Sequence, residues 1–204
     1  MKIAIVKYGM GNVASVQKAI KKLGFESIIT ADHNEIKKTD LIILPGVGSF
    51  CAGMENLHKL DLVNLLTQEV VAKKKPFIGI CLGMQLIASY GTEPYRVKGL
   101  GWIDGEVVKI ESGLNIRIPH LGWNNVKVEN QKEFFQEFDG LDYYFIHSYH
   151  FNATHKEQVV LSVDYGNQLV AAVHKENIYA MQFHPEKSQE AGMKLLQKII
   201  AQYA

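Results

Sequence analysis

Two cysteines in 204 residues are too few for a disulfide framework. An excess of charge of one sign is missing too. The chain has 22 basic and 21 acidic residues, for a formal net charge of +1. That balance gives no electrostatic ground for nucleic acid or an anionic membrane as partner. No apolar run approaches the length of a membrane span. The opening MKIAIVKYGMGN has a short apolar run, but Lys7 and a glycine-rich turn end it. It reads as a first strand and not as a secretory signal. A reducing cytoplasm is the expected compartment. Linkers, internal repeats and low-complexity segments are also lacking, so residues 1–204 are expected to form one domain. What is present is ordinary for a globular protein, at 47% hydrophobic and 21% charged residues, with length enough for a sizeable core.

The first ninety residues alternate between two patterns. KIAIV (2–6), ESIITA (26–31), LIILPG (41–46) and PFIGI (76–80) are apolar, strand-like runs. Between them, Val13, Val16, Ala19, Ile20 and Leu23 repeat at helical spacing and stop at Gly24. Helices are expected at 55–73 and 82–90, and NEIKKTD (34–40) reads as a polar connection. Strands that are apolar throughout, alternating with helices, predict a mixed, mostly parallel sheet with helices on both faces. In such α/β sheets ligands bind beyond the carboxyl ends of the strands. Those ends are YGMGN, PGVGSF and CLGMQ. The second half is strand-rich with turns at DG, YGN and KEN, which predicts an added antiparallel part, and SQEAGMKLLQKIIAQYA (188–204) reads as a closing helix.

GICLG (79–83) places Cys81 between two glycines at a strand-to-helix switch. This is the thiol form of a nucleophile elbow, in which a sharp turn exposes the nucleophile and crowds its neighbours. N–H groups at the start of the following helix favour the thiolate. A buried core cysteine is the plainer alternative for the cysteine alone. A thiol nucleophile needs a base, and QFHPEKS (182–188) supplies His184 with Glu186 two residues on, the natural base and its orienter. One His-x-Glu without further ligands makes no metal site. Acyl transfer also needs oxyanion donors, for which the glycine-flanked turn PGVG (45–48) and the N–H of Leu82 are candidates. PGVG lacks the spacing and lysine of a phosphate loop, and GMGN (9–12) lacks the third glycine of a dinucleotide fingerprint.

GICLGMQ, PGVGSF and FHPEKS, in that order, resemble the class I, triad-type glutamine amidotransferases, and the resemblance runs along essentially the whole chain. It implies a flavodoxin-like amidotransferase fold. It places a catalytic triad on Cys81, His184 and Glu186 and an oxyanion turn on Val47 and Gly48 with Leu82. It also implies glutamine contacts at Gln85, Glu93, His147, Ser148 and Tyr149. YGMGN, PHLGWN and YYFIHSY resemble one branch closely, a glutaminase subunit that delivers ammonia to a separate (β/α)8-barrel cyclase subunit. In that branch Asn12, Trp123, Tyr144 and Lys187 would face the partner, L-glutamine would be the substrate, and no cofactor or metal would be needed. Lys7, where the family commonly has Asp, and Trp102, where an aliphatic residue is more usual, depart from the pattern. Three other readings stand beside this one: a paralogue supplying ammonia for amidation of a surface-glycan sugar, a non-catalytic regulatory homologue, and a cysteine peptidase.

Overall fold

The structure is a computed structural model, in which residues 1–111, 116–130 and 133–204 are described. The first half runs β1 (Lys2–Val6), α1 (Val13–Lys22), β2 (Glu26–Thr30), α2 (His33–Lys37), β3 (Leu41–Gly46), α3 (Phe50–Lys59), α4 (Leu62–Thr67), β4 (Phe77–Cys81) and α5 (Leu82–Leu86). The remainder is mostly strand. It comprises β5 (Tyr90–Gly91), β6 (Val97–Lys98), β7 (Gly105–Lys109), β8 (His120–Val128), β9 (Asp142–His147), β10 (Tyr149–Ala153), β11 (Val159–Tyr165), β12 (Asn167–Lys175) and β13 (Ile178–Met181). The closing helix is α6 (Gln189–Ala201).

Among the described residues, nine strands form one mixed sheet in the order β2-β1-β3-β4-β13-β12-β11-β8-β9. Neighbours from β2 to β13 are parallel, and those from β13 to β9 are antiparallel. A smaller sheet, β10-β7-β5-β6, packs beside it. The all-apolar reading of β3 and β4 follows from burial, since every residue of both strands is buried. One core lies on each face of the sheet. Ile20, Leu195 and Phe183 belong to one; Leu44, Phe50 and Leu86 belong to the other. Register fixes the functional end. Gly46 of β3 stands beside Cys81 of β4, and Met181 of β13 stands beside Ile80.

Several elements differ from expectation. The polar stretch before β3 contains α2, which begins where Asp32 Oδ1 accepts from the N–H groups of Asn34 and Glu35, both at 2.9 Å. Five residues burying only Ile36 have no visible period. The helix expected at 55–73 starts earlier, at Phe50, behind Ser49, whose hydroxyl accepts from Ala52 N–H. It breaks at Asp61 in the left-handed region (φ 53°), resumes as α4, and ends in a wider π-helical turn over 68–72. The helix expected to reach residue 90 ends at Leu86. The carbonyls of Leu86, Ile87 and Ala88 are taken by the N–H groups of Leu100, Trp102 and Gly101 at 2.8–3.0 Å. DYYFIHSYHF is two strands, because the chain leaves the large sheet at His147 and joins the small one at Tyr149. Trp102 is core: its ring meets Phe77 edge-on at 5.0 Å and its Nε1–H donates to Thr67 Oγ1 at 3.1 Å.

Candidate active site

Cys81 ends β4 with φ 53° and ψ −110°. A non-glycine residue held there stores about 1–3 kcal/mol of strain, the kind that persists where surroundings over-determine it. Those surroundings explain the flanking glycines. A β-carbon on Gly83 would stand 1.7 Å from the Leu44 carbonyl oxygen, and one on Gly79 would stand 2.9 Å from that of Gly83. The glycines let β3, β4 and α5 close around the thiol, so crowding and not positive φ demands them at 79 and 83. The other cysteine, Cys51, sits within reach of Glu55 Oε1 and Tyr95 Oη, each 3.2 Å from its sulfur.

The segment after β13 brings His184 and Glu186 to the same end of the sheet. His184 Nδ1 lies 2.8 Å from Glu186 Oε1, and both side chains are buried. His184 Nε2 is buried without a hydrogen-bond partner among the described residues, so it is the nitrogen left over for chemistry. Burial alone pushes the imidazole pKa down. The adjoining Cys81, and then Glu186, outweigh this and raise it to about 9. At neutral pH the His184 imidazole is therefore protonated, with Glu186 orienting the ring. Gln182, which sequence reasoning passed over, is fully buried. Its Nε2 lies 3.7 Å from Cys81 Sγ, and its Oε1 accepts from Gln85 Nε2 at 3.0 Å.

A pocket of about 320 Å³ opens over Cys81. Val47, Gly48, Leu82, Gln85, Glu93, His147, Ser148 and Tyr149 all line it, so the residues expected for the oxyanion turn and for glutamine contact share one wall system. His184 and Glu186 are not among the residues that line it. Gln85 is held in place, since its Nε2 also donates to the Tyr149 carbonyl at 2.9 Å. Glu93 Oε2 accepts from Phe50 N–H at 3.1 Å.

His147 is committed on both nitrogens. Its Nδ1 lies 2.9 Å from the Tyr149 carbonyl and its Nε2 lies 3.1 Å from His120 Nδ1. Burial holds both rings neutral, with His147 down to about 3 and His120 to about 4. The tautomers follow: His147 donates to Tyr149, and His120 donates to His147. His120 is stacked between Phe145 and Tyr165, with centroids at 4.6 and 3.9 Å. In sequence, PHLGWN gave no sign that its histidine braces the pocket.

The residues expected at a partner surface form two groups. Trp123 is 47% exposed and meets Tyr144 edge-on at 5.9 Å, while Lys187 Nζ lies 5.6 Å over the Tyr144 ring. Asn12 is also exposed, but its side chain has a structural task, capping α1 by accepting from Ser15 N–H at 3.2 Å. Tyr144 is tied to the segment that carries His184. Its carbonyl accepts from His184 N–H at 2.9 Å, and its N–H donates to Ser188 Oγ at 3.0 Å.

Comparison with known proteins identifies the family. The family model for glutamine amidotransferase class-I matches residues 4–202. A relative from Methanococcus maripaludis, imidazole glycerol phosphate synthase subunit HisH 2, is 45% identical over 98% of this chain and 99% of its own length. Subunit HisH 1 of the same synthase from Campylobacter jejuni is 44% identical over 97% and 98%. Among solved structures, PurLQS from Thermotoga maritima superposes with a TM-score of 0.76 at 20% identity, covering 100% of this chain and 99% of that one, a likeness of fold.

Proposed function

The chain belongs to the class-I glutamine amidotransferase family, and from that premise we propose that Cys81, His184 and Glu186 are the groups that hydrolyse L-glutamine to glutamate and ammonia. Its function is that of the glutaminase subunit of imidazole glycerol phosphate synthase, the role its full-length relatives carry. The relatives do not favour the sugar-amidation or non-catalytic readings. The observation that carries the chemistry is the buried His184–Glu186 pair beside a strained Cys81 at the floor of a pocket.

In the proposed sequence, the Cys81 thiolate attacks the side-chain amide carbon of glutamine. Negative charge moves to the amide oxygen, where the N–H groups of Val47 or Gly48 and of Leu82 receive it. The His184 imidazolium gives its Nε2 proton to the departing nitrogen, the C–N bond breaks, and ammonia leaves a thioester behind. Neutral His184 then takes a proton from water. The resulting hydroxide cleaves the thioester, glutamate departs, and the thiolate–imidazolium pair is restored. Glu93 suits the substrate ammonium, and the main chain at Ser148 and Tyr149 suits its carboxylate. His147 and Gln85 brace that wall, since their nitrogens are already engaged.

Ammonia in open water is mostly protonated and no longer a nucleophile, so the site needs a cover that also consumes the product. The cyclase subunit is that cover, and we assign it the (β/α)8-barrel form, docking over Asn12, Trp123, Tyr144 and Lys187. The chemistry is tested by alkylation with a chloroketone analogue of glutamine. One equivalent is expected on Cys81, with Cys81→Ala inactive yet folded and Cys51→Ala retaining most activity. Labelling at Cys51, or turnover by Cys81→Ala, refutes the assignment.

A further inference from the structure

Tyr8 follows β1 in the YGMGN loop, which neither the triad nor the glutamine contacts account for. Its side chain is 1% exposed, and its hydroxyl has no hydrogen-bond partner among the described residues. Buried polar groups are rarely left so, because an unpaired one costs stability, and phenylalanine would fill the same space without that penalty. The position of the hydroxyl is specific. A β-carbon on Gly46 would stand 2.2 Å from Tyr8 Oη and 2.9 Å from Leu82 Cβ. Oη therefore rests against the bare Cα of Gly46, the last residue of β3, immediately before Val47 and Gly48. Gly11 of the same loop backs that glycine, since a β-carbon there would stand 2.8 Å from Gly46 Cα. Burial first, and then the Cys81 charge, raise the phenol pKa, so the hydroxyl keeps its proton and remains a donor.

A peptide plane that turns its N–H one way turns its carbonyl the other way. When the peptide joining Gly46 to Val47 rotates to aim its N–H into the pocket, the Gly46 carbonyl swings toward the protein interior. A carbonyl there needs a donor. We propose that Tyr8 is a positioning residue for the oxyanion turn, its hydroxyl being the donor that receives the Gly46 carbonyl once that peptide has rotated to face the oxyanion. This rests on the reading of residues 47 and 48 as the oxyanion turn. The unpaired hydroxyl in the resting chain is then one half of a bond that exists in the working conformation, and Gly46 is the hinge that lets the other half arrive.

The test is Tyr8→Phe, assayed as the full chain alone and with the cyclase subunit and an acceptor analogue. Expected are an unfolding midpoint no lower than wild type, a glutamine KM within about twofold, and a kcat reduced about tenfold or more in the isolated chain. The reduction in the complex should be no larger than in the isolated chain, because the partner favours the rotated state independently. The pH profile of Cys81 alkylation by iodoacetamide should not move. Unchanged kcat would show the hydroxyl idle and overturn the proposal. An alkylation profile displaced to higher pH would show that it serves the thiolate, and a lowered midpoint would show a packing role; either overturns it as well. If wild type takes the chloroketone at Cys51, the underlying glutaminase assignment fails instead.

Discussion

At the scale of single residues, the charge state of His184 is the quantity on which the proposed chemistry turns. Its pKa is raised from 6.5 to about 9 against burial, with Cys81 contributing ahead of Glu186. A histidine raised in the folded state adds stability that is complete below about pH 6.5 and is lost as pH rises through about 9. Removing the Cys81 side chain removes the larger support. In Cys81→Ala the His184 pKa, followed by nitrogen NMR of the imidazole, should drop below the wild-type value, and the alkaline loss of stability should begin at lower pH. An unchanged titration would mean that Glu186 alone holds the proton and that thiol and imidazole do not communicate. Cys81 and His184 were legible in the sequence because their neighbours are informative: two glycines two places either side of the thiol, and a Glu two places after the imidazole. Gln182, Ser188 and Tyr8 were not legible. Each acts through one atom placed by tertiary register, such as Ser188 Oγ, which bridges the His184 carbonyl at 2.7 Å and the Tyr144 N–H at 3.0 Å. No local pattern records such a contact.

Among the elements, the strands that build the site were readable because burial on both faces makes β3 and β4 uniformly apolar. The helices around them were less so. α2 is five residues long, and α5 is stopped by carbonyl partners more than ten residues later in the chain. The division of β9 from β10 was hidden for a related reason. A continuous aromatic run gives no sign that Ser148 is where the chain passes between sheets. That passage places His147, which lines the pocket, opposite His120 on β8 and joins two neutral imidazoles there. Both have folded pKa values well below 6.5, near 3 and 4. The unfolded chain therefore binds more protons than the native one once pH falls below about 6.5, and stability declines from there toward the folded values. The unfolding midpoint should fall between pH 6.5 and 4, with this pair adding up to two protons to the slope. His120→Phe, which keeps the stack between Phe145 and Tyr165, should reduce that slope by about one proton. Equal slopes in the two proteins would show that the pair is not the origin of acid sensitivity.

Across the whole molecule, the end of the sheet that carries Cys81 and His184 and the exposed aromatic face are parts of one structure. Tyr144 carries Trp123 and Lys187 on its outer side, while its main chain holds His184 and Ser188. The YGMGN loop starts with Tyr8 against Gly46 and ends with Asn12 on the surface. A partner touching both groups thus has two short routes inward, one to His184 and one to Gly46. An uncoupled glutaminase would consume glutamine without product, so the resting state should be the slow one. Losing one oxyanion donor slows such reactions roughly 10²–10³-fold, which sets the scale of the switch. Turnover of the isolated chain should therefore be slow, should rise on adding the cyclase subunit, and should rise again with an acceptor analogue. Trp123→Ala and Lys187→Ala should weaken that stimulation while leaving Cys81 labelling by the chloroketone in the isolated chain within about twofold, since neither side chain lines the pocket. Full activity in the isolated chain would refute the switch. Stimulation undiminished in both variants would move the docking surface away from the Tyr144 face, and with it the route by which a bound acceptor signals to the thiol.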